Sequence, residues 1–486
     1  MPISFNDIPA AIRVPSMVVE FDSSKATDNS LMTMRALCVG QKLATGIQAA
    51  LVPVRVTSPG QAATLFGAGS MLAQMCAAYL KNDAVTALWA IAVEDDPAGV
   101  AATGSITLAG AATESGTLCV YIGGRKVKVG VVSGAQAADV ATLLAAAVGT
   151  TADCPVTATA AGAVVTLAAA HKGAAANGLD IRPNYNGEST PAGLTLTIAA
   201  MHGGTGNPEA EDIIAAMGDT QYNVIAWPWT DASTLDVIKD ELARRWGPLI
   251  KLEGVAIAAA AGVYGVLAAL GESHNSKHLC LIEAQDVINP VWEYAAMASG
   301  DVAYFGGMDP ARQFQTLALV GAQPKPEAER LIWTERNLLL FDGVSTVSVD
   351  ANNTVRLERL ITTYRKSPNG ADDTAYLDLC TPLTLSYLRY SFVNRIKLKY
   401  PRHKLADDGT NYGPGQAIIT PKVGRAEAIA WARAMEAKGL MENINVFAAN
   451  VICERNLDDR DRMDWYLPPD LVNQFVVGAA QMGFIL

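Results

Sequence analysis

At 486 residues, half of them apolar and 17% charged, with a formal net charge of -11, the chain is long enough for about three domains and apolar enough to bury a core. Whole-chain disorder is excluded. The acidic balance also removes the usual electrostatic reason to bind nucleic acid or an anionic membrane directly, since both contacts rest on Lys and Arg neutralising phosphate.

The opening MPISFNDIPAAIRVP has no basic stretch followed by an apolar run, so no secretory signal is expected, and folding is expected in a cytoplasm. Pro9 and Pro15 bracket a short arm, after which Met17, Val18, Val19, Glu20 and Phe21 read as a strand set apart by SSKATDNS. Between Val39 and Val93, SMLAQMCAAYLKN reads as a helix and ALWAIAV as a strand. From Ala98 to about Gly206 charges thin out. There GSITLAG, GTLCVYIGG, KVKVGVV and AVVTLAAA recur as β-type runs between glycine-rich turns, interrupted by one helical run, Ala135 to Val148. This predicts a mainly-β domain inserted in an α/β core, which is tolerated when the ends of the insert lie close together.

Strands are predicted at Tyr222 to Trp227, Gly254 to Ala259 and His278 to Glu283. The intervening helices include one that starts at Thr230 or Asp231 and carries Leu235, Ile238 and Leu242 on one face, and another from about Asn289 to Tyr304. Strands apolar throughout and separated by helices indicate a parallel sheet covered on both faces. The most membrane-like stretch, Gly254 to Leu270, is at the lower limit of a spanning helix and reads as a buried strand leading into a helix. Beyond Asp342, GVSTVSV and TVRLERLITTY flank the turn-forming cluster Asp350 to Asn353 and predict a hairpin. Helices follow at Pro382 to Lys399 and Gly424 to Lys438, the second stopped by Gly439, and NVFAANVICERN and LVNQFVVGAAQMGFIL both read as strands.

Chemistry-bearing motifs are sparse. Seven scattered cysteines without a C-x-x-C spacing fit a reducing compartment rather than a disulfide framework or a zinc site. His274 and His278 are four apart, but Ser273, Asn275 and Ser276 make the segment a loop, so two surface histidines are expected rather than metal ligands. His202 heads a glycine-rich stretch before a helix near Pro208, without the Lys of a P-loop, and FGAGSML at Phe66 lacks a third glycine. The acidic doublets Asp95 and Asp96, Asp372 and Asp373, Asp407 and Asp408, and Asp458 and Asp459 read as solvated turn residues. No catalytic, cofactor-binding or metal residue is assigned.

The two ends and the charge distribution carry more. Leu471 to Leu486 holds no charge and contains Phe475, Val476 and Val477. Such a strand left unpaired is an aggregation hazard and needs a partner, in its own chain or in another. Residues 1–354 carry 20 basic and 33 acidic side chains, a net of -13, and residues 355–486 carry 17 and 15, a net of +2. Arg389, Arg395, Lys397, Lys399, Arg402 and Lys404 run without an acid among them, as either a solvated helix face or a docking surface for an acidic partner.

Four segments together resemble the contractile tail sheath proteins of bacteriophages, the Mu-like branch in particular. They are FNDIPAAIRVPSMVVEFDSSKA, LFGAGSMLAQM, the region from GSITLAG to HKGAAANGLDIRPNYN, and FDGVSTVSVDANNTVRLERLITTYRKSPNGADDTAYLDLCTPLTLSYLRY. The last is the most specific: a hairpin, then ITTY and a Gly-Asp turn into a helix. The resemblance implies an α/β (α+β) multidomain fold. Its parts are an arm over 1–30, a mixed-sheet α/β core over 31–97 and 207–341, an inserted mainly-β outer domain over 98–206, a C-terminal α+β sheath domain over 342–470 and an arm strand over 471–486. It further implies a structural, non-enzymatic subunit without cofactors, a six-fold helical homopolymer around the tail tube protein that contracts to drive the tube through the host envelope. Baseplate and tail terminator proteins would be its other partners, with no direct nucleic acid and no membrane insertion. Its place would be the virion tail, after assembly in the host cytoplasm. In such a polymer Met17 to Phe21 and Phe475 to Val477 pair with neighbouring subunits, and the basic run faces the tube. Two other readings stay open: a subunit of a pyocin-type contractile injection particle, and an oligomeric α/β enzyme holding a small anion near His202 or Gly67.

Overall fold

A computed structural model describes residues 33–409, 411–413 and 415–485. The chain enters through β1 (Arg35–Gln41), β2 (Val54–Val56), α1 (Pro59–Phe66), α2 (Met71–Asn82) and β3 (Ala87–Val93). Ser58 and Ser70 cap the two helices, accepting from the backbone N–H of Gln61 and of Ala73.

β4 (Ala101–Gly110), β5 (Gly116–Ile122), β6 (Arg125–Val131), α3 (Ala137–Thr150), β7 (Val156–Ala161), β8 (Val164–Lys172), β9 (Ile181–Pro183) and β10 (Leu194–His202) follow. They form a four-stranded sheet in the order β10-β4-β8-β7 and a three-stranded sheet in the order β6-β5-β9, both antiparallel. Alternation puts Ala102, Ile106 and Leu108 of β4 inside, and α3 covers the sheets with Val140, Leu144 and Val148.

The chain then returns through α4 (Ala210–Met217), β11 (Val224–Ala226), α5 (Ala232–Arg245), β12 (Val255–Ala260), α6 (Tyr264–Glu272), β13 (Leu279–Glu283), α7 (Val291–Met308), α8 (Trp333–Phe341), β14 (Val344–Val349) and β15 (Val355–Arg359). These complete an eight-stranded sheet in the order β15-β14-β13-β12-β11-β1-β3-β2. Its six inner strands are parallel and its two edge strands antiparallel. Alternate residues face opposite sides. Ala36, Cys38, Ala226 and Ile257 pack with α2 and α7, while Leu37, Val39, Ile225 and Ala256 pack with α4 and α5. Asp231 caps α5 as expected, and Leu235, Ile238 and Leu242 are buried. The stretch Gly254 to Leu270 is β12 followed by α6; among the described residues no helix is long and apolar enough to cross a membrane.

The predicted hairpin is present as β14 and β15, but it extends the large sheet instead of opening the C-terminal part. Leu281 of β13 pairs in parallel with Val344. The last region holds α9 (Cys380–Lys399), β16 (Lys404–Leu405), β17 (Ile418–Ile419), α10 (Pro421–Glu436), β18 (Met441–Glu442), α11 (Ile444–Asn450), β19 (Ile452–Arg455), β20 (Met463–Tyr466) and β21 (Asp470–Leu471). Tyr387, Leu388, Ala428, Trp431 and Phe447 form its separate core.

Two strand readings need correction here. The first half of NVFAANVICERN is α11, because Asn443 turns the chain at φ 55° and Ile444 and Phe447, one helical turn apart, bury together. Of LVNQFVVGAAQMGFIL only Leu471 belongs to a strand, and Val472 to Ile485 lacks strand pairing among the described residues.

The C-terminal part is seated on the core by Arg389 of α9. Its Nη1 donates to the Trp246 carbonyl at 2.7 Å and lies 2.8 Å from Glu253 Oε1, and its guanidinium stacks 4.7 Å above the Trp246 ring. Lys277 sits on the other aromatic contacts, 4.6 Å from the Trp246 centroid and 4.4 Å from that of Tyr376. Glu253 is buried, so removing its partner strands a carboxylate. We expect Arg389→Ala to cost about 3 kcal/mol in urea unfolding, where Lys397→Ala, at an exposed position, stays within about 0.5 kcal/mol.

Between α2 and α7 a second carboxylate is buried. Asp301 is 4% exposed, its Oδ2 has no hydrogen-bond partner, and burial together with the neighbouring Asp83 carboxylate pushes its pKa up to about 7. Glu283 is raised in the same sense, to about 8, by burial and by Asp286. A raised acid favours the fold in its protonated form, so this contribution is present below the ordinary carboxylate range and is lost as pH rises through the folded value. Asp301→Asn should therefore flatten the decline in stability between about pH 4 and 7, by up to about 4 kcal/mol. Parallel slopes for parent and variant in thermal melts across that range would refute the assignment.

Candidate assembly surfaces

In an open parallel sheet, ligands bind outside the carboxyl ends of the strands where the strand order reverses. Here that point lies between β1 and β11, since β1 pairs with β3 on one side and β11 on the other. The chain fills it with its own groups. Gln41 at the end of β1 is fully buried and donates to Asp95 and to the Lys172 carbonyl. Trp227 and Trp229, just past β11, are buried with rings 5.4 Å apart. Asp95, expected in a solvated turn, is half-buried in this network. Of the glycine-rich places named from sequence, exposed His202 ends β10 with Nδ1 3.0 Å from the Ala200 carbonyl, and Gly67 closes α1.

His274 and His278 are buried rather than on the surface, 3% and 1% exposed. His274 Nδ1 lies 3.5 Å from Asp236, and the His278 ring is 5.2 Å from that of Trp246. Burial and neighbouring Lys277 depress His278 to about 4, so it stays neutral. Among the described residues no three His, Cys, Asp or Glu side chains are grouped to hold a metal ion.

The fold places the side chains of the basic run in different surroundings. Arg389 points into the core junction. Arg395 and Lys399 share the single carboxylate of Glu427 of α10, at 2.9 and 3.0 Å. Lys397 and Arg402 are exposed, and exposed Lys404 donates to the Gln416 side chain at 3.1 Å. Among the described residues, the cations of this run with no acidic partner are thus Lys397, Arg402 and Lys404. Sequence spacing gave no sign of this split, because the deciding acids lie at positions 253 and 427.

Past Leu471 the tail carries exposed Phe475 and Val477 on one side and half-buried Val476 on the other. Phe484 and Ile485 are also exposed. The tail leaves the body at Gln474, whose Nε2 donates to the Ala311 carbonyl. Met17 to Phe21 lie outside the described residues. Sequence reading missed an apolar surface on α8, where Trp333 and Phe341, two turns apart, are 67% and 72% exposed; the signal was available in IWTERNLLLF.

Residues 203–363 match the phage tail sheath protein central domain and residues 371–485 the phage tail sheath C-terminal domain. The chain is 39% identical, over 488 aligned positions and the full length of both proteins, to a Mu-like prophage FluMu tail sheath protein of Haemophilus influenzae. Its fold is similar to that of a sheath tail protein from Desulfitobacterium hafniense, with a TM-score of 0.51 at 13% identity over 95% of this chain and 97% of that one. It is similar also to one from Listeria innocua, at 0.50 and 11% over 91% and 92%. A chain of the anti-feeding prophage baseplate gives 0.50 at 9% over 98% and 100%. With both sheath domains matched and a Mu-like relative aligned end to end, the chain belongs to the phage tail sheath family, on its Mu-like branch, and is a structural subunit of a phage tail.

Proposed function

We propose that the subunit polymerises helically, with six-fold symmetry, around a tail tube and later contracts to drive the tube through a host envelope, its terminal segments adding strands to neighbouring subunits. The observation that carries this is the tail. Residues 475–485 hold no charge, expose Phe475, Val477, Phe484 and Ile485, and have no strand partner in their own chain among the described residues. Fully extended they reach about 36 Å, enough to cross to another molecule. Receiving edges of the right kind lie in the same region, in the β19–β20 pair and the two-residue β18–β21 pair. Two-stranded ladders are marginal alone and gain from further strands. The N-terminal strand Met17 to Phe21 is assigned the same role.

Repeated heterologous contacts that do not close on themselves make a helix, and two packings of one subunit differing in energy allow contraction without nucleotide. The crevice between β1 and β11, filled by the chain's own groups, gives no support to an anion-binding enzyme at that point. We assign the tube-facing role to Lys397, Arg402 and Lys404, with the tail tube, baseplate and tail terminator proteins as partners and the host cytoplasm as the place of assembly. The particle is taken as a phage tail; a pyocin-like particle would show itself by the lack of a neighbouring capsid gene.

Replacing Phe475 and Val477 together by Asp should leave stability within about 0.5 kcal/mol yet abolish long tubes in negative-stain images. Normal tubes from that variant would overturn strand addition by the tail. Lys397→Glu with Arg402→Glu should weaken co-assembly with tail tubes, and added salt should weaken the parent in the same way, because exposed charges are screened beyond about 10 Å at 0.1 M. Co-assembly indifferent to both changes would remove the cationic set from the tube contact.

A further inference from the structure

Among the described residues, the four-stranded sheet of the inserted domain ends in two strands with a free side, β10 and β7. Apart from His202 at the end of β10, neither holds an ionisable side chain: β10 reads LTLTIAAMH and β7 VTATAA. The companion three-stranded sheet is guarded at both edges. There β6 holds Arg125, Lys126 and Lys128, and β9 is three residues long with Arg182 and Pro183. An edge without charge or proline is open to another strand.

Which backbone groups face outward follows from the ladder, because successive residues of an antiparallel strand turn their N–H and C=O to alternate sides. Leu108 of β4 donates to the Ala163 carbonyl, toward β8, so its cross-strand partner Leu196 faces away from β4, as does Ile198 two residues on. At the other edge Ala170 donates to the Pro155 carbonyl, which makes Thr157 and Thr159 the residues bonded to β8 and turns Ala158 and Ala160 outward. The side chains of these four outward residues share the apolar side of the sheet. Leu196 and Ile198 stand opposite Leu108 and Ile106, and Ala158 and Ala160 opposite Leu167 and Val165. Their burial is incomplete: Leu196, Ile198 and Ala158 are half-buried and Ala160 is exposed. On the other side both strands show exposed threonine, Thr195 and Thr197 on β10 and Thr157 and Thr159 on β7.

The two edges complement each other. Across the sheet β10 runs antiparallel to β7, so a second copy set beside the first in the same orientation offers its β10 antiparallel to β7. With Leu196 against Ala160 and Ile198 against Ala158, the four outward residues exchange backbone hydrogen bonds in two closely spaced pairs. Large side chains then lie beside small ones on the apolar side, and Thr197 lies beside Thr159 on the other. We propose that the inserted domains of adjacent copies join edge to edge, β7 of one with β10 of the next, into a sheet continuous across the boundary between subunits. Because the two edges differ, the contact is heterologous and every copy offers both halves of it. It is separate from the contacts assigned to the tail, and rests on the proposed assembly only in requiring that copies lie side by side.

The test uses the full chain carrying Thr159→Cys and Thr197→Cys together, both at exposed positions. Within one copy β8 and β4 separate the two positions, which puts them about 14 Å apart, beyond the reach of a disulfide. A disulfide between them therefore joins two copies, and in the paired edges they face each other with Cα atoms about 4.5 Å apart. After mild air oxidation of sedimented tubes the double variant should lose its monomer band to a ladder of dimers and higher multiples on non-reducing gels. Peptide mass spectrometry should find the link between positions 159 and 197. The parent, with its seven cysteines, and each single variant should show no ladder. Dimers from Thr197→Cys alone, the sign of β10 paired with β10, would overturn the proposal, as would absence of the 159 to 197 link from tubes. Tubes without the link leave the tail's role standing. Should no tubes form, concentrated subunits oxidised in parallel decide: the link found there upholds the edge pairing while the tail's role fails, and its absence there overturns the pairing too.

Discussion

Everything in this subunit is arranged around a parallel sheet that is apolar on both faces. Leu37 and Cys38, adjacent in β1, are both buried on opposite sides, and no half of such a sheet can face water. Two layers of helices are therefore obligatory, and the other parts of the chain attach at the strand ends, the C-terminal part at Trp246 and Glu253 before β12 and the inserted domain at the carboxyl ends. The inserted domain is joined there, its connections running from the end of β3 to the start of α4. A position that serves as a ligand crevice in other open α/β sheets is here a structural joint, closed by Gln41, Asp95, His171 and the pair Trp227 and Trp229.

How legible this was in the sequence depended on how far away the deciding partner lay. The units β11, α5, β12, α6, β13 and α7 were readable because their signals are local: Asp231 as cap, helical spacing of Leu235, Ile238 and Leu242, and apolar runs bounded by glycine and polar turns. The hairpin β14–β15 was readable for the same reason, but its sheet was not, because Val344 pairs with Leu281, and no local pattern encodes that register. Short apolar runs failed where helix and strand are both compatible with the composition. NVFAAN looks β-rich, yet the turn at Asn443 and the burial of Ile444 and Phe447 on one side make it helical.

The assembly surfaces show the same limit in electrostatic form. Six basic residues without an acid among them looked like one patch, and the fold divides them. Arg389 is consumed by Trp246 and Glu253, and Arg395 and Lys399 share Glu427. A charge run read along a helix describes only the helix. Whether each charge reaches a partner molecule is set by acids brought in from elsewhere in the chain, and only the cations left outside, such as Lys397 and Arg402, are placed to feel a distant field. The histidines make the converse case: a polar-looking loop around His274 and His278 is packed against α5 and Trp246, so two residues expected in water are buried and neutral.

The C-terminal region then differs from the core in kind. The core satisfies its strands internally across eight partners, whereas the last strands pair over two to four residues, β18 with β21 and β19 with β20. Ladders that short do not hold a sheet together by themselves, and the tail beyond them exposes Phe475, Val477, Phe484 and Ile485 without a charge to keep it soluble as an edge. A subunit with a self-sufficient core and an unfinished rim has its folding and its assembly separated in sequence. On the proposed assembly, substitutions in the parallel sheet change whether a subunit exists, and substitutions at the rim change whether subunits join. That separation suits the proposed polymer of reorienting subunits, because the contacts that must persist through a change of packing are then not the ones that hold each subunit together.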